Sequence, residues 1–166
     1  MTPVTECSIR ILLIDDEADL VEFLACRLLK RGCTVKATYG GPEALVAVEA
    51  RTYDVAVVDL KMPQMDGIEV IERIRAIQPF LEVIMLTGHG SVDSALEAGR
   101  LKAFRYLLKP YEFDELISLI KDACDRREQR LESAYQEEMA ELMALGHTPR
   151  EILVSGEELR RKYDRK

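Results

Sequence analysis

The chain has 166 residues, of which 48% are hydrophobic, and this is enough for one domain with its own core and a further segment. Its formal net charge of −7 argues against a broad nucleic-acid-binding surface, because Lys and Arg are the residues that neutralise phosphates. No apolar run approaches the roughly 20 residues of a transmembrane helix, and residues 1–10 lack a secretion signal, so we expect a cytoplasmic protein.

Between residues 9 and 127, short apolar runs alternate with longer amphipathic segments. The runs have the length of strands, and the longer segments repeat apolar residues at helical spacing. In chain order, the pattern predicts strand 9–14, helix 15–32, strand 34–38, helix 40–52, strand 54–59, helix 67–77, strand 82–87, helix 91–102, strand 103–108 and helix 109–127. Five strands that alternate with five helices predict a doubly wound α/β domain with a parallel sheet.

The remainder of the chain, 128–166, has no strand pattern. Its apolar residues recur at helical spacing, at Leu131, Tyr135, Met139 and Leu142. The last helix of the domain therefore continues or restarts here, and Gly146 ends it. Two helix-start patterns follow, one at Thr148 with a Glu three residues later, and one at 155–158. We predict a domain at 1–127 and a helical C-terminal extension at 128–166.

Polar or reactive side chains follow four of the five predicted strands. They are Asp15 and Asp16 after the first strand, Asp59 after the third, Thr87 after the fourth and Lys109 after the fifth. Ligands of open α/β sheets bind beyond the carboxyl ends of the strands, so we expect these five groups to lie together.

Three close carboxylates repel one another unless a cation or a shifted protonation state relieves them. A hard cation held by carboxylates and water, and completed by phosphate oxygens, describes a magnesium site. Lys109 supplies a positive charge opposite the carboxylates, and Thr87 supplies a hydroxyl donor. The five groups therefore predict in-line attack of an aspartate oxygen on a phosphoryl group.

Four sequence blocks resemble the signature blocks of response-regulator receiver domains from two-component signalling. The blocks are ILLIDDE, VVDLKMPQMDG, VIMLTGHGS and AFRYLLKP, and they occur in the order and spacing of that family over about residues 8–127. The sequences DLKMPQMDG and LTGHGS are most similar to those of receivers attached to enhancer-binding transcription activators. The resemblance implies a flavodoxin-like fold with the strand order 2-1-3-4-5.

The resemblance also implies roles for the acidic residues. Asp59 would accept a phosphoryl group from a sensor histidine kinase or a phosphotransfer protein. Mg²⁺ would be the cofactor. Asp16 would bind it directly and Asp15 through water, and Asp59 and the backbone carbonyl of Lys61 would complete the protein's share of the coordination.

The remaining matched positions would contact the phosphoryl oxygens or move after phosphorylation. The resemblance implies that Thr87 and Lys109 contact these oxygens, and that Tyr106 swings inward as Thr87 moves towards the phosphate. It also implies a cis peptide bond before Pro110. We expect the movement of Thr87 and Tyr106 to reshape the surface of the fourth helix, the fifth strand and the fifth helix.

Two positions depart from the family pattern, and both lie near the surface that such proteins use for partners. Lys102 stands where receivers commonly have glycine, and Arg105 where they have aspartate. The sequence therefore does not indicate the downstream partner.

The segment 128–166 has no helix-turn-helix, Walker loop or catalytic constellation, so we predict a receiver without an output domain. Its output would be protein binding, or a homodimer through that surface or the extension.

Three alternative functions remain open from the residues. An aspartyl phosphatase of the haloacid dehalogenase type usually has a second aspartate where Lys61 stands, so we expect no enzyme beyond limited Mg²⁺-dependent autophosphorylation and autodephosphorylation. A flavin- or nucleotide-binding module would need glycines and backbone donors where 15–19 is acidic. DNA binding would need a basic recognition helix, for which 158–166 is the only candidate and is short.

Overall fold

A computed structural model of the chain describes residues 9–88, 99–100 and 103–163. The strands are β1 (Arg10–Ile14), β2 (Thr34–Thr38), β3 (Val55–Asp59), β4 (Glu82–Thr87) and β5 (Arg105–Leu108). The helices are α1 (Ala18–Lys30), α2 (Gly41–Ala50), α3 (Gly67–Ile77), α4 (Phe113–Ala144) and α5 (Pro149–Tyr163). The predicted helix at 91–102 lies outside the described residues apart from 99–100.

The five strands form one parallel sheet in the order β2-β1-β3-β4-β5, which confirms the predicted fold. The register aligns the carboxyl ends of the strands. Residues opposite one another there are Ile14 and Val58, Asp59 and Leu86, and Thr87 and Leu108. The segments that follow β1, β3, β4 and β5 therefore leave the sheet at the same edge.

Two hydrophobic clusters cover the two faces of the sheet. Val55 and Val57 of β3 belong to the cluster with α1 and α4, whereas Ala56 and Val58 belong to the cluster with α2 and α3. Every residue of β3 and β4 is buried. Burial on both faces explains why these strands are apolar at consecutive positions instead of alternating.

The first helix differs in one respect from a simple apolar repeat. Its buried residues are Val21, Leu24 and Leu28, while the Phe23 side chain is 61% exposed. The ring of Phe23 lies 5.6 Å from the Arg27 guanidinium, so the helix surface and not the core accommodates it.

The helix α4 continues without a break through residue 127. It has 32 residues, a length of about 48 Å, so 128–144 prolongs the last helix of the α/β domain. Gly146, with φ of 79°, lies just beyond its end. Within the described part of the chain, no helix combines the length and the apolar character that a membrane span requires.

A reciprocal cap starts α5 at the position predicted from Thr148. The backbone N–H of Thr148 donates to Glu151 Oε2 at 2.8 Å, and the N–H of Glu151 donates to Thr148 Oγ1 at 3.4 Å. The second predicted helix start, at 155–158, is wrong, because these residues lie inside α5. Gly156 there is buried, and a Cβ at this position would lie 2.7 Å from the hydroxyl oxygen of Tyr135 in α4. A small residue at position 156 therefore lets the two helices approach closely.

Buried ion pairs fix α4 to the amino-terminal edge of the sheet, opposite the edge described above. Arg127 Nη1 lies 3.0 Å from Asp54 Oδ1, and Arg10 Nη2 lies 2.7 Å from the same oxygen. Arg130 Nη1 lies 2.6 Å from Oε1 of Glu82, a residue with no exposed surface. These contacts hold the middle of α4 against the starts of β3 and β4.

Candidate functional site

Three carboxylates meet at the carboxyl edge of the sheet, as the strand ends predict. Asp15 and Asp59 are buried, with 5% and 6% of their surface exposed, whereas Asp16 is exposed. One carboxylate oxygen from each residue lies within 4.8 Å of the other two. Two of the three carboxylates are thus buried, and the third lies at the protein surface.

The Lys109 ammonium lies between the two buried carboxylates. Its Nζ is 3.3 Å from Asp15 Oδ2 and 3.6 Å from Asp59 Oδ2. Its backbone N–H donates to the carbonyl of Thr87 at 2.8 Å, which ties the end of β5 to the end of β4. Burial alone would lower the pKa of Lys109, but the negative charges of Asp15 and Asp59 outweigh burial and raise this pKa. Lys109 is therefore a permanent cation at neutral pH.

Lys109 does not fully balance the negative charge around Asp59. Burial and the nearby Asp15 carboxylate raise the pKa of Asp59, and the opposing effects of Lys109 and of the Lys61 backbone N–H do not cancel this rise. The Lys61 N–H donates to Asp59 Oδ1 at a long 3.5 Å. The three carboxylates thus favour one further cation, and an all-oxygen donor set of this kind fits Mg²⁺.

The loop after β3 is shaped by Asp66 and Gly67. Asp66 caps α3 by accepting a hydrogen bond from the backbone N–H of Ile68 at 3.2 Å. A Cβ on Gly67 would lie 2.5 Å from the carbonyl oxygen of Asp59 and 2.7 Å from Cα of Leu60. Glycine is required at position 67 by this close approach of two backbone segments, and not by a left-handed backbone conformation.

We expect Gly67→Ala to destabilise the protein by about 1–3 kcal/mol, because the new methyl group would force apart the backbone that carries Asp59. Urea denaturation followed by circular dichroism measures this change. Gly40→Ala is the matched control in another loop, because the nearest atom to a Cβ at Gly40 is 4.0 Å away. Equal stability of the Gly67 variant and the wild type would show that the loop adjusts without cost.

Thr87 and Tyr106 differ in exposure. Thr87, the last residue of β4, is 3% exposed, whereas Tyr106 in β5 is 42% exposed.

The other positions matched to the family lie near the end of β5. Arg105 is exposed, and its guanidinium lies 5.1 Å from the ring of Phe104. The peptide bond between Lys109 and Pro110 is cis. Lys102, the second departure from the family pattern, lies outside the described residues.

Sequence reasoning missed Tyr111, which is partly buried beside the carboxylates and lines a small cavity together with Asp15. Burial raises the pKa of its hydroxyl; Lys109 acts in the opposite sense, and Asp15 and Asp59 add to the rise. The sequence places Tyr111 two residues after Lys109, but the cis peptide bond before Pro110 interrupts regular extended backbone, so no local pattern indicated where its side chain lies.

Comparison with known sequences shows extensive similarity. A model of the response regulator receiver domain family matches residues 11–121. The transcriptional regulatory protein GlrR of Escherichia coli is 35% identical over 116 residues, which are 70% of this chain and 26% of that protein. The DNA-binding transcriptional regulator NtrC of Salmonella typhimurium is 33% identical over 144 residues, which are 87% of this chain and 27% of that protein. The chain thus spans about a quarter of the length of these relatives.

Solved structures show the same similarity. A CheY-like response regulator receiver domain protein of Methanospirillum hungatei has a TM-score of 0.71 and 28% identity, over 74% of this chain and 98% of that one. The response regulator protein TrrA of Thermotoga maritima, in complex with Mg²⁺ and BeF, has a TM-score of 0.63 and 32% identity, over 69% of this chain and 98% of that one.

Proposed function

Because the chain belongs to the response regulator receiver domain family, we propose that Asp59 accepts a phosphoryl group from a sensor histidine kinase or a phosphotransfer protein. The observation that carries this proposal is the position of Lys109, whose Nζ lies within 3.6 Å of Asp59 and closer still to Asp15. The ammonium beside Asp59 gives the oxygens of an incoming phosphoryl group a positively charged hydrogen-bond donor.

In the proposed transfer, an Asp59 carboxylate oxygen forms the new bond to phosphorus. The phosphorus–nitrogen bond of the donor phosphohistidine breaks, and the electron pair of that bond leaves with the imidazole. Lys109 and Thr87 would hold the phosphoryl oxygens, Lys109 by charge and Thr87 by its hydroxyl. Both residues stand at the ends of adjacent paired strands, which supports the proposal that they contact the same phosphoryl group.

We propose that Asp15, Asp16 and Asp59 hold Mg²⁺ together with the backbone carbonyl of Lys61. When bound, the ion neutralises charge on the carboxylates and on the phosphoryl oxygens. The close approach of the three carboxylates and the raised pKa of Asp59 support this proposal. The Mg²⁺ and BeF complex of the related TrrA supports it as well.

Thr87 and Tyr106 would couple phosphorylation to a change at the protein surface. We propose that the phosphoryl group draws Thr87 towards it, and that the exposed Tyr106 side chain then turns inward and changes the surface around β5. Residues 1–127 would act as the receiver and 128–166 as a helical extension. The output would be phosphorylation-dependent protein binding or dimerisation, without an enzymatic activity beyond slow gain and loss of the protein's own phosphoryl group.

We expect a small acyl phosphate to phosphorylate the purified protein only when Mg²⁺ is present. Intact-mass spectrometry would record the gain of one phosphoryl group, and peptide mapping after borohydride reduction would place it at Asp59. Chelation by EDTA should abolish the gain, because the three repelling carboxylates then lack the cation that balances an incoming anion. Labelling that resists EDTA, or that maps to another residue, would contradict the proposed site.

A further inference from the structure

One side of α4 carries a stripe of segregated charge. The residues of this stripe, from the receiver outwards, are Arg126, Arg130, Ser133, Glu137 and Glu141. Successive members are three or four residues apart within one continuous helix, so they lie on the same side of it. The basic half of the stripe adjoins the sheet, and the acidic half belongs to the part of α4 that continues beyond it.

The two arginines of the basic half contact their own chain but keep exposed surface. Arg130 Nη1 lies 2.6 Å and Arg126 Nε 3.9 Å from the same oxygen of the buried Glu82. Burial lowers the pKa of Arg75, and although Glu82 opposes this, the positive charges of Arg130 and Arg126 lower it further. Arg126 and Arg130 thus add positive charge around Glu82. Arg130 also donates to the carbonyl oxygen of Pro79 at 3.1 Å, and the Arg126 side chain is 45% exposed and the Arg130 side chain 37%.

The acidic half is accessible. Glu137 and Glu141 are both exposed, and neither forms an ion pair with a side chain that the structure describes. The helix α5 packs on a different side of α4, where Gly156 lies close to Tyr135 and Met139. Tyr135 and Met139 each lie two positions from a member of the stripe, about 160° around the helix, so α5 leaves the stripe uncovered.

We propose that a second copy of the chain binds this stripe with the two α4 helices antiparallel. Arg126 of each copy then lies beside Glu141 of the other, and Arg130 beside Glu137. The two-fold axis passes between Ser133 and Ala134, where small side chains permit close approach of the helices. Each favourable contact occurs twice in such an interface. A parallel arrangement would instead bring Arg126 beside Arg126 and Glu141 beside Glu141.

This interface is independent of the proposed phosphorylation. The stripe begins at the amino-terminal edge of the sheet, whereas Asp59 lies at the carboxyl edge. We therefore expect the unphosphorylated protein to dimerise. Exposed ion pairs are screened by salt, so the dimer should weaken as the salt concentration rises.

A charge-swap cycle measured by sedimentation equilibrium tests the proposal. Arg126→Glu and Glu141→Arg should each weaken the dimer about tenfold or more, and the chain that carries both changes should recover most of the loss. Recovery cannot arise within one copy, because the two positions are about 22 Å apart along one helix. Both side chains are exposed and Glu82 keeps its closer partner Arg130, so we expect both variants to fold, which circular dichroism would verify.

Glu128→Arg is the matched control, since it reverses an exposed charge on another side of the same helix. It should leave the dissociation constant of the dimer within about twofold of the wild type. The double variant Glu137→Arg/Glu141→Arg alters only exposed residues and should also weaken the dimer. A wild-type protein that stays monomeric at the highest soluble concentration would overturn the proposal. A dimer in which Arg126→Glu and Glu141→Arg show no coupling would overturn it as well.

Discussion

Replacement of Asp59 by asparagine is expected to abolish phosphorylation and, in the absence of Mg²⁺, to raise the melting temperature of the protein. The amide cannot supply the attacking carboxylate oxygen, so no label should be incorporated from an acyl phosphate. The stability effect follows from the raised pKa of Asp59, because burial and Asp15 disfavour the charged form more than Lys109 favours it. A neutral side chain of the same shape removes that repulsion.

The pH dependence of this effect has a definite sign. A carboxyl group whose pKa is higher in the folded than in the unfolded protein favours folding most when it is protonated. That contribution is present below the unfolded pKa and is lost as the pH rises through the folded pKa. The melting temperatures of wild type and Asp59→Asn should therefore differ most at neutral pH and converge in acid.

Added Mg²⁺ should reverse the order of the two melting temperatures, because the wild-type cluster offers three carboxylates and the variant only two. Differential scanning calorimetry with and without Mg²⁺ would measure this. Asp66→Asn is a suitable control, since Asp66 is an exposed helix cap in the same loop and asparagine caps equally well. An Asp59→Asn protein that takes up label, or that melts below wild type without Mg²⁺, would refute the assignment.

The convergence of the candidate site residues was largely predictable because they stand at the ends of strands. Apolar runs locate the strands, and a parallel sheet brings residues such as Asp15 and Asp59 to one edge whatever their separation in sequence. Gly67 shows where such reasoning fails. The need for glycine there comes from the backbone of Asp59 and Leu60, a packing contact that no local pattern encodes.

The opposite edge of the sheet was not predicted for a related reason. Asp54 and Glu82 stand at the starts of apolar runs, where a charged residue is typical of a strand boundary in water. Instead, α4 passes over both and buries them against Arg127 and Arg130. The helical pattern of 109–127 shows that a helix forms, but not which strands its arginines reach.

Removal of the Asp54 carboxylate is expected to be among the most destabilising single changes in the protein. Asp54→Ala would leave Arg127, which is 5% exposed, without the carboxylate it contacts at 3.0 Å, and would remove the carboxylate that Arg10 contacts at 2.7 Å. Breaking a buried ion pair on one side costs about 3–5 kcal/mol, because the remaining charge stays buried. Chemical denaturation at neutral pH would measure the loss in the free energy of unfolding.

Asp114→Ala tests whether burial or contact distance determines the stability lost when an ion pair is removed. Asp114 pairs with Arg31 at 2.8 Å, a shorter contact than that of Asp54 with Arg127, but its side chain is 80% exposed. Its removal should cost less than about 1 kcal/mol, because solvent screens exposed pairs. Replacing Arg127 by methionine in the Asp54→Ala background should recover part of the loss, since no buried charge then remains at that position. If Asp54→Ala costs no more than Asp114→Ala, the arginines of α4 reach water when Asp54 is removed, and ion pairing does not hold the helix at this edge of the sheet.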